Sequence, residues 1–330
     1  MLILTNCLTP TPDEGSLKVG CCLTRAVKSR CPETKVISYE RRSELTDVFL
    51  KTNRLLLSRE LLRQIRQETE GVLYIPFPTR SLPMALRLFL LSRLSPVPVT
   101  AVLSMRRNHG PLSRLLLKYS RGKLAALSRT SADFYGSFVG DDRVLYLKAA
   151  VDPAAFTPVS PARARSLKEK NGLDPDRKVL FHAGHLKRGR NLQRLLEFPG
   201  YIQLLLAVSS FTRQEEDLRM LLEQRENVTL LQGFLPHIEE LYQLCDGYVF
   251  PVEEKYNCID VPLSCLEAAA CGKPVITTGW GEMAELLGKP GFYPLTRWEA
   301  ALEDRENSTR SAALCYDWRL AAEKLMEAMK

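Results

Sequence analysis

The residues best equipped for chemistry gather in two short stretches. The first is Phe181-His182-Ala183-Gly184-His185-Leu186-Lys187-Arg188-Gly189-Arg190-Asn191-Leu192, where an apolar run ends in a glycine and a group of cations. Gly184 permits close backbone approach. Arg190, at the predicted opening of the next helix, offers a guanidinium that can grip phosphate oxygens in pairs. His185 and Lys187 add a titratable ring and an ammonium. A basic loop alone more often marks a solvated face, so its place in the fold must decide.

The second stretch runs Asp260-Val261-Pro262-Leu263-Ser264-Cys265-Leu266-Glu267-Ala268-Ala269-Ala270-Cys271-Gly272-Lys273-Pro274-Val275, after an apolar run that ends at Phe250-Pro251. Pro262, with fixed φ and no N–H, suits a first helical turn, and Gly272 suits the stop. The helix start points free N–H groups and partial positive charge at the loop, which favours a diphosphate beside Asp260, Val261, Pro262 and Leu263. Glu267, about one and a half turns in, is an acceptor for the vicinal hydroxyls of a ribose. The structural alternatives are an N-cap for Asp260, stabilising by about 1 kcal/mol, and a solvated helix acid for Glu267.

Elements that could hold these stretches recur along the chain. Strand-like runs at 2–5, 35–39, 72–76, 97–103, 123–127 and 143–147 alternate with helix candidates near 16–30, 55–69, 83–94, 111–119 and 130–138. Runs at 178–182, 203–208, 228–231, 247–250 and 274–277 repeat the rhythm. Such alternation predicts α/β folding with parallel sheets covered on both faces. A chain of 330 residues favours two domains. The proline-rich segment from Val151 to Pro161 is the predicted join. The expected division is a first Rossmann-like domain over 1–155, a second over 156–315, and a closing helix over 316–330. Ligands of such sheets bind beyond the carboxyl ends of strands, so the loops named above are where a site belongs.

Composition narrows the class. No apolar run reaches the roughly 18–20 residues of a membrane span, and Met1 to Thr9 reads as a strand and not a signal peptide, which makes the cytoplasm the default compartment. Nine cysteines without a Cys-x-x-Cys pair read as reduced thiols. Four histidines with no metal-type spacing give no expected metal site.

The stretch from Glu267 to Val275 closely resembles the donor-binding segment of family 4 glycosyltransferases, the glycosyl transferases group 1, which have the two-domain GT-B architecture. The family signature is two glutamates eight positions apart, then Ala, a small residue, Gly and Pro-Val. Ile259 stands in the place of the first glutamate, with Asp260 one position later. The resemblance extends to Gly184 with His185 in an arginine's place, to Arg190, to Gly233-Phe234 after the run at 228, to Gly279-Trp280-Gly281-Glu282, and to Val151-Asp152-Pro153 and Tyr316-Asp317-Trp318. It implies a site in a cleft between facing domains. It implies transfer of a sugar from a nucleotide diphosphate to an acceptor hydroxyl, retaining and without metal or other cofactor. Arg190, His185 and Glu267 would be catalytic. Gly184, Lys187, Gly233, Phe234, Asp260, Val261, Pro262, Leu263 and Glu267 would hold the donor, with the base near Gly233-Phe234. Gly15, Ser16, Ser104 and His109 would lie on the acceptor side, although an exposed loop is an alternative for His109. A non-catalytic GT-B subunit is the rival reading, and an epimerase of the same fold a more distant one.

Charge adds a partner. The excess of +8 comes from one stretch, because 80–129 carries ten Lys/Arg and no Asp or Glu, and the remaining 36 Lys/Arg face 38 Asp/Glu. Basic helices with leucine faces fit an anionic membrane, and the absence of an interleaved aromatic series argues against nucleic acid. The expected place is therefore peripheral at the inner face of a membrane, where a glycan or lipid-linked acceptor for envelope or polysaccharide synthesis is found.

Overall fold

Strands buried on both faces read as continuous apolar runs, and Leu2–Thr5, Val72–Ile75, Val99–Leu103 and Gln203–Val208 are buried throughout. The computed structural model describes residues 1–79, 81–209, 214–253, 258–304 and 309–329. It divides into two units, Met1–Ala149 with Trp318–Lys330, and Ala150–Asp317.

The first unit runs β1 (Leu2–Thr5), α1 (Gly15–Arg30), β2 (Lys35–Ser38), β3 (Val48–Phe49), α2 (Arg59–Arg66), β4 (Val72–Ile75), α3 (Ser81–Leu94), β5 (Val99–Leu103), α4 (Pro111–Tyr119), β6 (Lys123–Ala126), α5 (Arg129–Val139) and β7 (Val144–Tyr146). Its seven strands are ordered β3-β2-β1-β4-β5-β6-β7, with parallel pairing such as Leu2 beside both Lys35 and Val72. The core packs Leu4, Tyr74, Leu88, Ala101, Leu117 and Tyr135.

The second unit runs α6 (Pro161–Lys170), β8 (Val179–Gly184), β9 (Gln203–Val208), α7 (Glu216–Glu223), β10 (Val228–Gln232), α8 (Ile238–Leu244), β11 (Gly247–Phe250), α9 (Leu263–Ala270), β12 (Val275–Thr277), β13 (Phe292–Pro294), α10 (Trp298–Glu303) and α11 (Thr309–Ala313). Its sheet is ordered β10-β9-β8-β11-β12-β13. The last helix, α12 (Trp318–Met329), packs in the first unit, where Arg30 on α1 reaches Glu323 at 3.1 Å.

In both sheets the order reverses once, between β1 and β4 and between β8 and β11. Connections leave these strand pairs to opposite sides, which opens a crevice at their carboxyl ends, the place where ligands bind in such folds.

Three local expectations are corrected. The helix predicted over 55–69 is confined to Arg59–Arg66, because Asn53 Oδ1 accepts from Leu55 and Leu57 N–H in a preceding turn and Ser58 caps the helix. No α-helix opens at Arg190. Arg188–Arg190 and Leu192–Glu197 are 3₁₀ turns, broken by Asn191 at φ 59°. The outer strands β3 and β13 lie outside the expected runs, β3 having only two residues and β13 ending in Pro294.

Candidate functional site

β8 ends at Gly184 and the chain turns through Lys187 to Arg190, whose N–H donates to the Lys187 carbonyl at 3.0 Å. Arg190 is 9% exposed. A Cβ on Gly184 would stand 2.8 Å from Arg190 Nη1 and 3.0 Å from His182 Nε2. A side chain here would crowd the Arg190 guanidinium and the His182 imidazole, a packing reason for glycine beside close approach of a ligand. Arg188 is turned away, its Nε donating to Asp217 Oδ2 at 3.1 Å and its backbone N–H to Glu215 Oε2 at 2.9 Å. Lys187 and Arg190 have no carboxylate partner among the described residues. Burial, then the charges of Arg190 and Lys187, holds the His185 pKa down to about 3, so its ring is neutral at physiological pH.

Across the switch point, α9 begins at Leu263 with Pro262 as its N-cap residue. Asp260 is therefore not the N-cap. The Trp280 indole N–H donates to the Ile259 carbonyl at 3.0 Å and Glu282 N–H to the Asp260 carbonyl at 3.0 Å. Gly281, at φ 54°, lets that carbonyl in, since a Cβ there would lie 2.1 Å from it. The glycine-rich turn thus clamps the loop in front of α9, a role that spacing did not reveal. Ile259 is 8% exposed, so the position of the family's first glutamate is a core position here. Val261, Pro262 and Leu263 are also buried.

Glu267 is 3% exposed and is not a solvated helix acid. Its Oε2 accepts from Tyr242 Oη at 2.8 Å. The Tyr242 ring is itself fixed edge-on to Phe181 at 4.9 Å and to Phe156 at 5.5 Å. Tyr242 lies 25 residues before Glu267 on another helix, which hid the pair from a reading by spacing. Gly233, at φ 90°, turns the chain after β10, and Phe234 beside it is 39% exposed. The Asp-x-Asp triplet of this unit, Asp174-Pro175-Asp176, precedes β8 at the strand's opposite end. Asp176 there is paired with Arg165 at 2.7 Å.

The crevice of the first unit is tied by Asn6, unnoticed in the sequence. Its Oδ1 accepts from Phe77 N–H at 2.7 Å and its Nδ2 donates to the Phe77 carbonyl, joining the ends of β1 and β4. Gly15 opens α1 with open space where a Cβ would stand, and Glu14 caps that helix through Leu17 N–H at 3.0 Å. Ser16 is buried, and Ser104, directly after β5, is buried with no partner for its hydroxyl among the described residues. His109 is not on an exposed surface. It is 5% exposed, edge-on to Tyr135 at 5.5 Å and close to Phe134 and Phe138, and burial pushes its pKa down to about 4.

The basic stretch is sorted by its bonds, with Arg80 outside the described residues. Arg87 Nε donates to the Arg54 carbonyl at 2.8 Å, Arg93 to the Tyr119 carbonyl at 3.1 Å, and Lys123 to the Ala328 carbonyl at 3.0 Å. Leu86, Phe89, Leu90 and Leu94 are half-buried, so α3 is not the exposed basic face the sequence suggested. On α4, Arg114 Nε likewise donates to the His109 carbonyl at 3.0 Å, but Leu112, Leu115 and Tyr119 are exposed beside it and beside Lys118, whereas α3 exposes only Leu82 among its leucines. A groove of about 620 Å³ lined by Arg114, Leu115, Lys118 and Phe138 separates α4 from α5. Among the described residues no helix is long and apolar enough to cross a membrane.

Comparison with known proteins follows the same outline. Residues 177–304, which span both clusters of the second unit, match the family model of glycosyl transferases group 1. The whole chain superposes on Alr3699/HepE of Anabaena, solved in complex with UDP, with TM-score 0.77, 16% identity and coverage of 99% of this chain and 98% of that one. A glycosyltransferase from Rickettsia africae gives TM-score 0.75 at 13% identity, covering 100% and 97%. WaaG, a glycosyltransferase involved in lipopolysaccharide biosynthesis, gives 0.68 at 16% identity over 100% of both chains. Comparison of the sequence with curated proteins gives no match. The chain has the GT-B fold and resembles family 4 glycosyltransferases, with the group 1 match carried by its second unit.

Proposed function

We propose that the chain transfers a hexose from a nucleotide-diphosphate sugar to a hydroxyl of a glycan or lipid-linked acceptor, with retention and without a metal or other cofactor. The observation that supports this reading is the strand order, in which the loop of Lys187 and Arg190 follows β8 and the loop and helix of the buried Glu267 follow its neighbour β11, one on each side of a switch point. A sugar nucleotide needs these parts in this neighbourhood. Arg190, Lys187 and the α9 amides meet the diphosphate and stabilise the charge that grows on it as the glycosidic bond breaks. Glu267 accepts from the ribose hydroxyls, Phe234 offers an exposed ring to the base, and Gly184 and the main chain of Asp260 to Leu263 border the phosphates and sugar. His185 is a hydrogen-bonding group here and not a cation. On the acceptor side Gly15, Ser16 and Ser104 border the crevice, and His109 acts only through the elements it packs.

Thermal unfolding in the presence of UDP, GDP and ADP, followed by release of nucleotide from the matching sugar donors, tests the reading. One nucleotide at a hundred times its Kd should stabilise the protein by about 2.7 kcal/mol. No shift with any of the three overturns nucleotide-sugar transfer. Binding without turnover favours a non-catalytic GT-B subunit, a reading supported by the core position of Ile259 and the neutral ring of His185.

The exposed leucine and cation face of α4 supports a peripheral place at an anionic membrane, where cell-envelope glycans are assembled. Each cation near such a surface is worth about 1 kcal/mol. Arg114→Glu with Lys118→Glu is therefore expected to lower co-sedimentation with phosphatidylglycerol vesicles at least tenfold. Equal binding of the wild-type protein to anionic and neutral vesicles would sink the idea.

A further inference from the structure

His182 is 1% exposed, two residues before the end of strand β8, where a purely apolar residue would satisfy the core. Its ring is stacked on Tyr248 at 6.2 Å with an interplanar angle of 16° and tilted against Phe250 at 6.4 Å. Nδ1 lies 2.8 Å from the Val249 carbonyl. A carbonyl can only accept, so Nδ1 carries the proton and Nε2 presents its lone pair. Burial and the nearby Arg190 keep the ring neutral, with its pKa down to about 4. That lone pair has no hydrogen-bond partner among the described residues. An orphaned buried acceptor is costly and calls for a reason.

The surroundings supply one. Nε2 and Arg190 Nη1 lie 3.0 and 2.8 Å from the same point, the one a Cβ on Gly184 would occupy. An acceptor without a partner therefore lies near a guanidinium that can only donate, beside a residue with no side chain, although the two are not hydrogen-bonded in this structure. We propose that His182 is a positioning residue for Arg190, its Nε2 receiving one guanidinium N–H so that the others are presented to the diphosphate of the donor. The proposal rests on the nucleotide-sugar reading and adds to it a residue that never touches substrate. The guanidinium's five donors allow both tasks at once, and fixing a long, flexible side chain beforehand removes ordering cost from binding.

The test is titration calorimetry of UDP, GDP and ADP, and of the matching free nucleoside, against wild type, His182→Phe, His182→Gln, Arg190→Ala and the Phe/Ala double variant, each checked for folding by circular dichroism. Loss of one hydrogen bond should weaken the diphosphate about fivefold to tenfold in His182→Phe and leave the nucleoside unchanged. His182→Gln, whose side chain can carry an acceptor to the Nε2 position, should recover most of the loss. In the Arg190→Ala background the phenylalanine should add nothing, since the residue it positions is gone. Unchanged diphosphate affinity in His182→Phe, or the same loss whether or not Arg190 is present, overturns the proposal while leaving the donor reading intact. A wild-type protein that binds no nucleotide overturns both. Should the phenylalanine variant fail to fold, Gln against Asn at position 182 decides: near-wild-type Gln with weakened Asn supports the proposal, and equality defeats it.

Discussion

Arg190→Ala is expected to lower kcat about 10²–10³-fold, a loss of about 2.7–4 kcal/mol of transition-state stabilisation, while KM for the sugar nucleotide rises tenfold or less. The split follows from where charge develops. The diphosphate already carries charge in the ground state, but the oxygen that leaves the sugar gains its own only as the bond breaks. A donor aimed at that oxygen is then worth more in the transition state than in the bound substrate. Arg190 suits the task because it is buried and unclaimed by any carboxylate among the described residues, whereas Arg188, two residues away, is spent on Asp217 and Glu215. Arg188→Ala is thus the internal comparison and should leave kcat within about twofold, as expected for an exposed ion pair worth under about 1 kcal/mol. Arg190→Lys should fall between, keeping the charge and losing the planar fork. Steady-state kinetics on the three variants decide the matter, with melting curves to show that each is folded. A kcat for Arg190→Ala within threefold of wild type would remove Arg190 from the chemistry.

Much of the scaffold around these residues was legible because it is written in local contrasts. β1, β9 and β11 occupy the runs read from composition, each a buried apolar stretch closed by turn residues, and α4 starts at Pro111 and α9 stops before Gly272, at φ 72°, as cap chemistry predicts. The failures share a cause. Arg190 was expected at a helix start, yet a left-handed Asn191 holds the segment in 3₁₀ turns. Asp260 looked like a cap, but its backbone is fixed by Glu282 and Gly281 about twenty residues further on. Tyr242 behind Glu267, Trp280 on Ile259 and His182 under Gly184 are likewise pairs made by tertiary packing. Spacing finds residues that act through their own helix or loop, and it is blind to those that act through a neighbour brought in by the sheet. His182 is the sharpest instance, since at the end of the run 178–182 it reads as part of a core strand. In the basic stretch α3 and α4 have similar composition and cations of both bond carbonyls, but only packing decides that α3 half-buries Leu86, Phe89, Leu90 and Leu94 while α4 keeps Leu112 and Leu115 exposed.

Glu267→Ala is expected to weaken nucleotide affinity about 10–100-fold, since hydrogen bonds to a charged acceptor are worth about 1.5–3 kcal/mol each and about 1.4 kcal/mol is tenfold. The same substitution should cost stability, because it strands the Tyr242 hydroxyl, buried and bonded to Glu267 Oε2, with a penalty of about 1–3 kcal/mol. Affinity and stability must therefore be separated before the loss is assigned to the ribose. Glu267→Gln does part of this, keeping an oxygen for Tyr242 while removing the negative charge, and Tyr242→Phe does the converse, leaving the carboxylate in place without its rear support. A ligand change completes the separation. The 2′-deoxy nucleotide lacks one of the hydroxyls that Glu267 would accept from, so wild type should bind it more weakly than the ribonucleotide, and Glu267→Ala should bind the two alike. That convergence cannot come from loosened packing, which would lower both affinities by a common factor. If the alanine variant still prefers the ribonucleotide by the wild-type margin, Glu267 is a structural partner of Tyr242 and the ribose must be held elsewhere.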